Sequence, residues 1–94
     1  MRIHVFRGLF PLGQVYTTPG ALEVVSEDER ISALTRHIGG DWGDVCDDDR
    51  AANDEALQMG ERLLSVYHTA AGVKFWIITE RDRSATTFLL PSEY

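Results

Sequence analysis

The chain has 94 residues, of which 44% are hydrophobic, and a formal net charge of −6. This length fits one domain over residues 1–94, because a single hydrophobic core typically extends over about 100–150 residues. No apolar run approaches the ~18 residues of a membrane span or forms a signal peptide, so we expect a cytoplasmic protein without membrane contact. The excess of acidic residues disfavours direct binding to nucleic acid, and the single cysteine, Cys46, fits a reducing compartment.

The first quarter of the chain is predicted to contain two short strands and a short helix. Residues 3–6 and 14–17 are rich in strand-forming side chains. Thr18 provides a capping hydroxyl, and Pro19 is suited to the first helical turn. We therefore expect a short helix over residues 21–25.

Two further helices follow. Ser26 and Glu29 have the spacing of a capping box, which predicts a helix that ends at Gly39. A third helix is predicted from Arg50 to Met59, with Gly60 as its C-terminal cap. The aspartates that precede this helix suit the positive end of its dipole.

The last third of the chain shows strand periodicity. Residues 63–68 and 73–79 alternate around a turn, which is typical of a β-hairpin, and residues 85–90 form another strand that Pro91 ends. We therefore predict an α+β fold. It has an antiparallel sheet of three to four strands, formed by a C-terminal meander with an N-terminal strand at one edge, and two or three helices on one face.

Acidic residues are concentrated in the middle of the chain. The segment from Glu23 to Glu55 contains eleven acids and three bases and so carries −8, while the remainder carries +2. This distribution predicts one strongly negative face if the segment folds as a contiguous surface. The alternative is that these side chains are solvated helix starts and loops that keep a small protein soluble.

Two tryptophans and the cysteine are further candidates for a functional role. Trp76 lies in an apolar strand and is expected either to fill core on the second face of the sheet or to cover the sheet under a helix. Trp42, in an acidic turn, either fastens that loop to the core, which we favour, or forms an exposed anchor for a partner. Cys46 is expected to be a small buried or half-buried residue, since no partner histidine is apparent.

No metal or cofactor is expected. The aspartates between Asp41 and Asp49 lack the alternating acids, central glycine and terminal glutamate of a calcium loop. Zinc is disfavoured because Cys46 has no second cysteine and the three histidines show no paired spacing.

A ribonuclease is the alternative enzymatic hypothesis. A metal-independent ribonuclease needs a general acid, a general base and a cation for the pentavalent phosphate. These could be His68 and Glu80 with Arg81 and Arg83, if the four side chains converged on one face.

Three stretches resemble a known group of proteins. They are residues 34–44 (LTRHIGGDWGD), residues 52–57 (ANDEAL), and residues 76–84 (WIITERDRS) with residues 89–94 (LLPSEY). Over Thr17 to Tyr94 the chain resembles small plasmid-related proteins of proteobacterial mobile elements, a family without an established activity. The first sixteen residues depart from the family. The resemblance implies an inhibitor of host defence, such as an anti-CRISPR or anti-restriction protein.

Together, the charge and the resemblance favour an acidic DNA mimic rather than an enzyme. Its partner would be a host CRISPR effector or restriction complex, bound at the surface that normally holds DNA. The candidate partner-binding residues are Asp41, Trp42, Asp44, Asp47, Asp48, Asp49, Asp54 and Glu55, followed by Glu27, Asp28 and Glu29. The protein is expected to be a monomer or a homodimer, and pairing through an exposed edge of the meander is a third hypothesis that involves no nucleic acid.

Overall fold

The computed structural model describes residues 8–94, so the strand predicted over residues 3–6 lies outside the described residues. Four strands form one sheet in the order β1-β4-β3-β2. They are β1 (Gln14–Thr17), β2 (Leu63–His68), β3 (Lys74–Thr79) and β4 (Ala85–Leu89). The helices are α1 (Pro19–Val24), α2 (Glu27–Ile38) and α3 (Asp47–Met59), and a 3-10 turn spans Pro91–Glu93. The prediction of an α+β fold is confirmed.

The helix ends follow local sequence signals. The Thr18 hydroxyl caps α1 by accepting from the amide of Ala21, and both hydrogen bonds of the predicted capping box are present in α2. The third helix starts at Asp47, three residues earlier than predicted, because its aspartates occupy the first turn, where carboxylates interact favourably with the dipole. Gly60 ends α3 in the left-handed conformation.

The sheet combines an antiparallel meander with one parallel pair. β2, β3 and β4 pair in succession as predicted, with Leu63 opposite Thr79 and Thr79 opposite Thr86. β1 adds beside β4 in parallel orientation, with Gln14 opposite Ala85. The crossover between β1 and the meander contains all three helices of residues 8–94.

The helices cover one face of the sheet, as predicted. The strand residues that are buried on this face are Leu63, Ser65, Tyr67, Phe75, Ile77, Thr79, Thr86 and Phe88. Ala21, Val25 and Ala33 from the first two helices pack against them. On the opposite face Trp76 is half-buried and contacts the ring of Tyr94 edge-on at 5.7 Å. Of its two expected places, Trp76 therefore occupies the second face and does not lie under a helix. None of the helices within residues 8–94 is long and apolar enough to cross a bilayer.

Candidate functional site

Helix α3 presents five acidic residues to solvent. Its buried side is narrow, consisting of Asn53 and Ala56 with half-buried Leu57. The exposed carboxylates of this helix are Asp47, Asp48, Asp49, Asp54 and Glu55. Residues seven positions apart lie on the same face of a helix, two turns or about 10 Å apart. Asp47 with Asp54 and Asp48 with Glu55 therefore form two rows of carboxylates on one face, which we call the α3 acidic face.

Trp42 fastens this helix to the core. Its side chain has no solvent exposure, and its indole N–H donates to Asp54 Oδ1 at 2.9 Å. Its ring also packs against Phe10 and His37, with centroids 6.3 and 5.7 Å away. Of the two interpretations from the sequence, the first holds: Trp42 fastens the acidic loop to the core and is not an exposed anchor. Its inclusion among the partner-binding residues is corrected, because a fully buried side chain cannot reach a partner.

A second attachment of α3 comes from Asn53, which the sequence reasoning missed. Its side-chain amide donates to the carbonyl of Leu64 at 2.7 Å, and the Leu64 amide donates back to Asn53 Oδ1 at 3.1 Å. The amide thus pairs with β2 as a neighbouring strand would. The signal in the sequence that could have indicated this attachment was a polar residue among the helix positions that face the core. The spacing of Ala52, Ala56 and Met59 predicts the buried side of this helix, but Ala52 is exposed and Met59 is 69% exposed, so the buried side is rotated toward Asn53.

The acids of α2 and of the loop before α3 meet near His68. Asp28 and Glu29 line a groove of about 220 Å³ together with Arg36 and His68. Asp44 Oδ2 lies 3.7 Å from Nδ1 of His68. His68 therefore connects the acidic start of α2 with the loop that leads into the α3 acidic face. Glu27 is exposed in the first turn of α2.

Besides Asp54, two of the predicted acids have structural roles. Arg36 donates to both carboxylate oxygens of Asp41, at 2.8 and 3.3 Å, and this hydrogen-bonded contact lowers the pKa of Asp41. Glu29 accepts from the backbone amides of Ser26 and Ala70, and these bonds lower its pKa. The charge of Asp41 is thereby offset, so Asp41 and Glu29 contribute less to a free negative surface than the α3 acids.

The residues of the ribonuclease hypothesis do not converge. His68 lies opposite Lys74 at one end of the β2–β3 hairpin, whereas Glu80 follows Thr79 at the other end. Five residue steps along a strand correspond to about 17 Å. Arg83 is also engaged, because its guanidinium donates to three backbone carbonyls. The expectation that these four side chains converge on one face is therefore corrected.

Cys46 is exposed, which corrects the expectation that it is buried or half-buried. It precedes the first turn of α3 without a side-chain capping bond. Within residues 8–94 no group of three or more His, Cys, Asp or Glu side chains is arranged to hold a metal ion.

A chain of hydrogen bonds is buried between α2 and the sheet. His37, with no solvent exposure, lies 2.5 Å from Ser65 Oγ through Nδ1 and 2.8 Å from Thr79 Oγ1 through Nε2. Thr79 Oγ1 is 2.8 Å from Thr86 Oγ1, whose hydroxyl donates to the carbonyl of Leu12. The periodicity of the sequence assigns no role to His37. The side chains that form these hydrogen bonds are shielded from solvent, so they are part of the core.

No protein-family profile, curated protein or solved structure matches the chain. The resemblance to plasmid-related proteins therefore stays a prediction. The functional hypothesis depends on the geometry of the acidic residues, which suits electrostatic recognition of a cationic surface.

Proposed function

We propose that the protein inhibits a host defence complex, a CRISPR effector or a restriction complex, by binding the cationic surface that normally holds DNA. The α3 acidic face is the observation that carries this proposal. Its exposed carboxylates form two rows over two helical turns. The choice of a defence complex as partner follows from the resemblance to proteins of mobile elements.

Carboxylates on a helix can satisfy the same lysine and arginine side chains that contact phosphates. Nucleic-acid affinity depends largely on such contacts, so a compact anionic surface competes directly for them. Helix α3 contains five acids and one base, Arg50, and Arg50 is directed back to the carbonyl of Val45. Four units of net negative charge thus remain on this helix.

The attachment of α3 also favours binding. Its position is held by the hydrogen bonds of Trp42 and Asn53, which connect it to the core and to β2. A surface that is already ordered before binding loses less conformational entropy when the complex forms. The proposed inhibitor therefore presents its carboxylates on a rigid element.

Displacement of DNA from purified defence complexes tests the proposal. Fluorescence anisotropy would follow labelled DNA on CRISPR effector complexes and restriction complexes as the protein is added. The Asp48→Asn/Glu55→Gln variant removes two charges from the α3 acidic face and spares Asp54, which accepts from Trp42. We expect about a tenfold or greater rise in the concentration needed for displacement, because charged contacts across an interface typically contribute 1 kcal/mol or more.

A matched control separates the α3 acidic face from net charge. Glu23→Gln/Asp82→Asn also removes two negative charges, but from positions outside α3. The carboxamide introduced at position 82 would keep an oxygen that can accept from the amide of Ser84. This control should inhibit as the native protein does, and inhibition by both should weaken with added salt. Equal losses in the two variants, or displacement of DNA from none of the complexes, would overturn the proposal.

A further inference from the structure

The two edges of the sheet differ in how their backbone groups are bonded. At the β2 edge, Asn53 pairs with both backbone groups of Leu64. The amide of Val66 donates to the carbonyl of Trp42, and the amide of Asp44 donates to the carbonyl of Val66. The outward backbone groups of Leu64 and Val66 are therefore already bonded, which argues against the predicted pairing of two copies through this edge of the meander.

The β1 edge is open within residues 8–94. The amides of Gln14 and Thr18 donate to carbonyls of the neighbouring β4 segment, so alternate residues of β1 face inward. Val15 and Thr17 consequently direct their backbone groups outward, and no strand of the described region pairs with them. The strand reads Gln-Val-Tyr-Thr, without the charge or proline that proteins commonly place on an exposed edge.

Apolar side chains flank this edge. Val15, Tyr16 and Ile31 are 48, 55 and 58% exposed. They border a groove of about 200 Å³ between β1 and α2, which half-buried Leu34 also lines. Arg30, the charged residue of the groove, donates to the carbonyl of Val25. The edge thus combines free backbone groups with an apolar surface.

We propose that β1 pairs with β1 of a second copy of this chain, antiparallel and about a two-fold axis at Tyr16. In this register Val15 of each copy lies opposite Thr17 of the other. Facing residues whose backbone groups point toward each other exchange two hydrogen bonds per pair. All four outward groups of each β1 are then bonded, and the two sheets join into one continuous sheet. The inference is independent of the proposed function.

The distribution of charge favours a second copy at this edge. Each chain carries −6, and helix α3 packs beside β2, at the opposite side of the sheet. Three strand spacings, about 14 Å, separate the two edges. Pairing through β1 therefore keeps the α3 helices of the two copies apart, whereas pairing through β2 would bring them together.

Disulfide trapping tests the register. Facing residues in a non-hydrogen-bonded antiparallel pair have Cα atoms about 4.5 Å apart, within the range of a disulfide. Tyr16→Cys, in a Cys46→Ser background that removes the exposed native thiol, should form a covalent dimer under mild oxidation. Thr17→Cys in the same background is the matched control. Its two copies would lie roughly 8 Å apart, since they are offset by two residues, and should not cross-link.

Sedimentation over a range of concentrations measures the dimer itself. Val15→Pro removes an outward amide that the β1–β4 pairing does not use, so the fold should persist, as circular dichroism would verify. We expect dimerisation to weaken about tenfold or more in this variant, and to be unchanged in Val15→Thr, which keeps the amide. A native protein that stays monomeric, a dimer insensitive to Val15→Pro, or equal cross-linking at positions 16 and 17 would overturn the proposal.

Discussion

The protonation of His37 follows from its neighbours. The carbonyl of Leu12 can only accept, so the Thr86 hydroxyl donates to it and must accept from Thr79. Thr79 then accepts from the Nε2–H of His37. Burial disfavours the charged imidazolium, so the imidazole is neutral and its Nδ1 accepts from the hydroxyl of Ser65. Burial, and secondarily the charge of Arg83, lowers the pKa of His37 to about 4.

This lowered pKa predicts a specific loss of stability in acid. The unfolded chain binds a proton at His37 from its ordinary pKa of 6.5, whereas the folded protein does so only near a pKa of about 4. The unfolded state thus holds more protons between these values, and the free energy of unfolding falls as the pH drops through this window. The contribution of His37 amounts to about 3 kcal/mol, measurable by urea denaturation between pH 7 and 4.

Substitutions at two histidines separate this effect from that of the carboxylates. His37→Gln keeps a donor and an acceptor but does not titrate, so its stability should depend less on pH over the same window. His68→Gln, at an exposed position, is the matched control for the loss of an imidazole. Identical profiles for His37→Gln and the native protein would contradict the assignment.

Asn53 is predicted to contribute strongly to stability. Asn53→Ala leaves the backbone groups of Leu64 without their partners, at a cost of about 2 kcal/mol in the free energy of unfolding. Gln58→Ala, on the exposed side of the same helix, should change stability by less than about 0.5 kcal/mol. Urea denaturation measures both, and equal losses would show that Asn53 has no special role at the β2 edge.

At the level of elements, the loop before α3 is held against β2 by close backbone contact. Gly43 has φ 76°, and a Cβ there would lie 2.0 Å from the carbonyl oxygen of Val66. Gly60, which ends α3, has φ 72° with nothing within 4 Å of that position. Both glycines relieve conformational strain, but only Gly43 also permits the loop to approach the strand.

Alanine at these two glycines should therefore have unequal effects. Gly60→Ala should lower the free energy of unfolding by about 1 kcal/mol, because the left-handed conformation is its only cost. Gly43→Ala adds displacement of the loop, for a loss of about 3 kcal/mol in the free energy of unfolding. Thermal or urea denaturation would compare them. Similar losses would mean that the contact between Gly43 and Val66 is easily relaxed.

Local elements were more predictable than their connections. The capping box at Ser26 and the cap at Gly60 act within a few residues, so the sequence alone indicates where these helices start or end. The attachment of α3 through Asn53 depends on which strand lies beside it, and no local pattern contains that information. The same holds for Arg83, which donates to carbonyls of the α3 C-terminal region 22 and 27 positions away.

For the molecule as a whole, the periodicity of the sequence predicted the fold class better than it predicted the contacts of the candidate residues. The meander was readable from alternation, but the separation of His68 from Glu80 follows from the register of the hairpin. The burial of Trp42 likewise depends on how α3 docks, which is why the sequence left two interpretations open. Charge indicated that the middle of the chain is acidic, whereas only the fold shows which acids have partners within the protein.

The parallel pairing of β1 with β4 has a consequence for the order in which the chain folds. The capping hydroxyl of Thr18 bonds to Glu93, 75 positions later, and β1 has its pairing partner only in β4 within the described region. During synthesis, therefore, the first strand emerges long before the strand that holds it. Contacts between such distant segments form late and slow the folding reaction. The β2–β3 hairpin can form before β4 has left the ribosome, whereas β1 can join the sheet only afterwards.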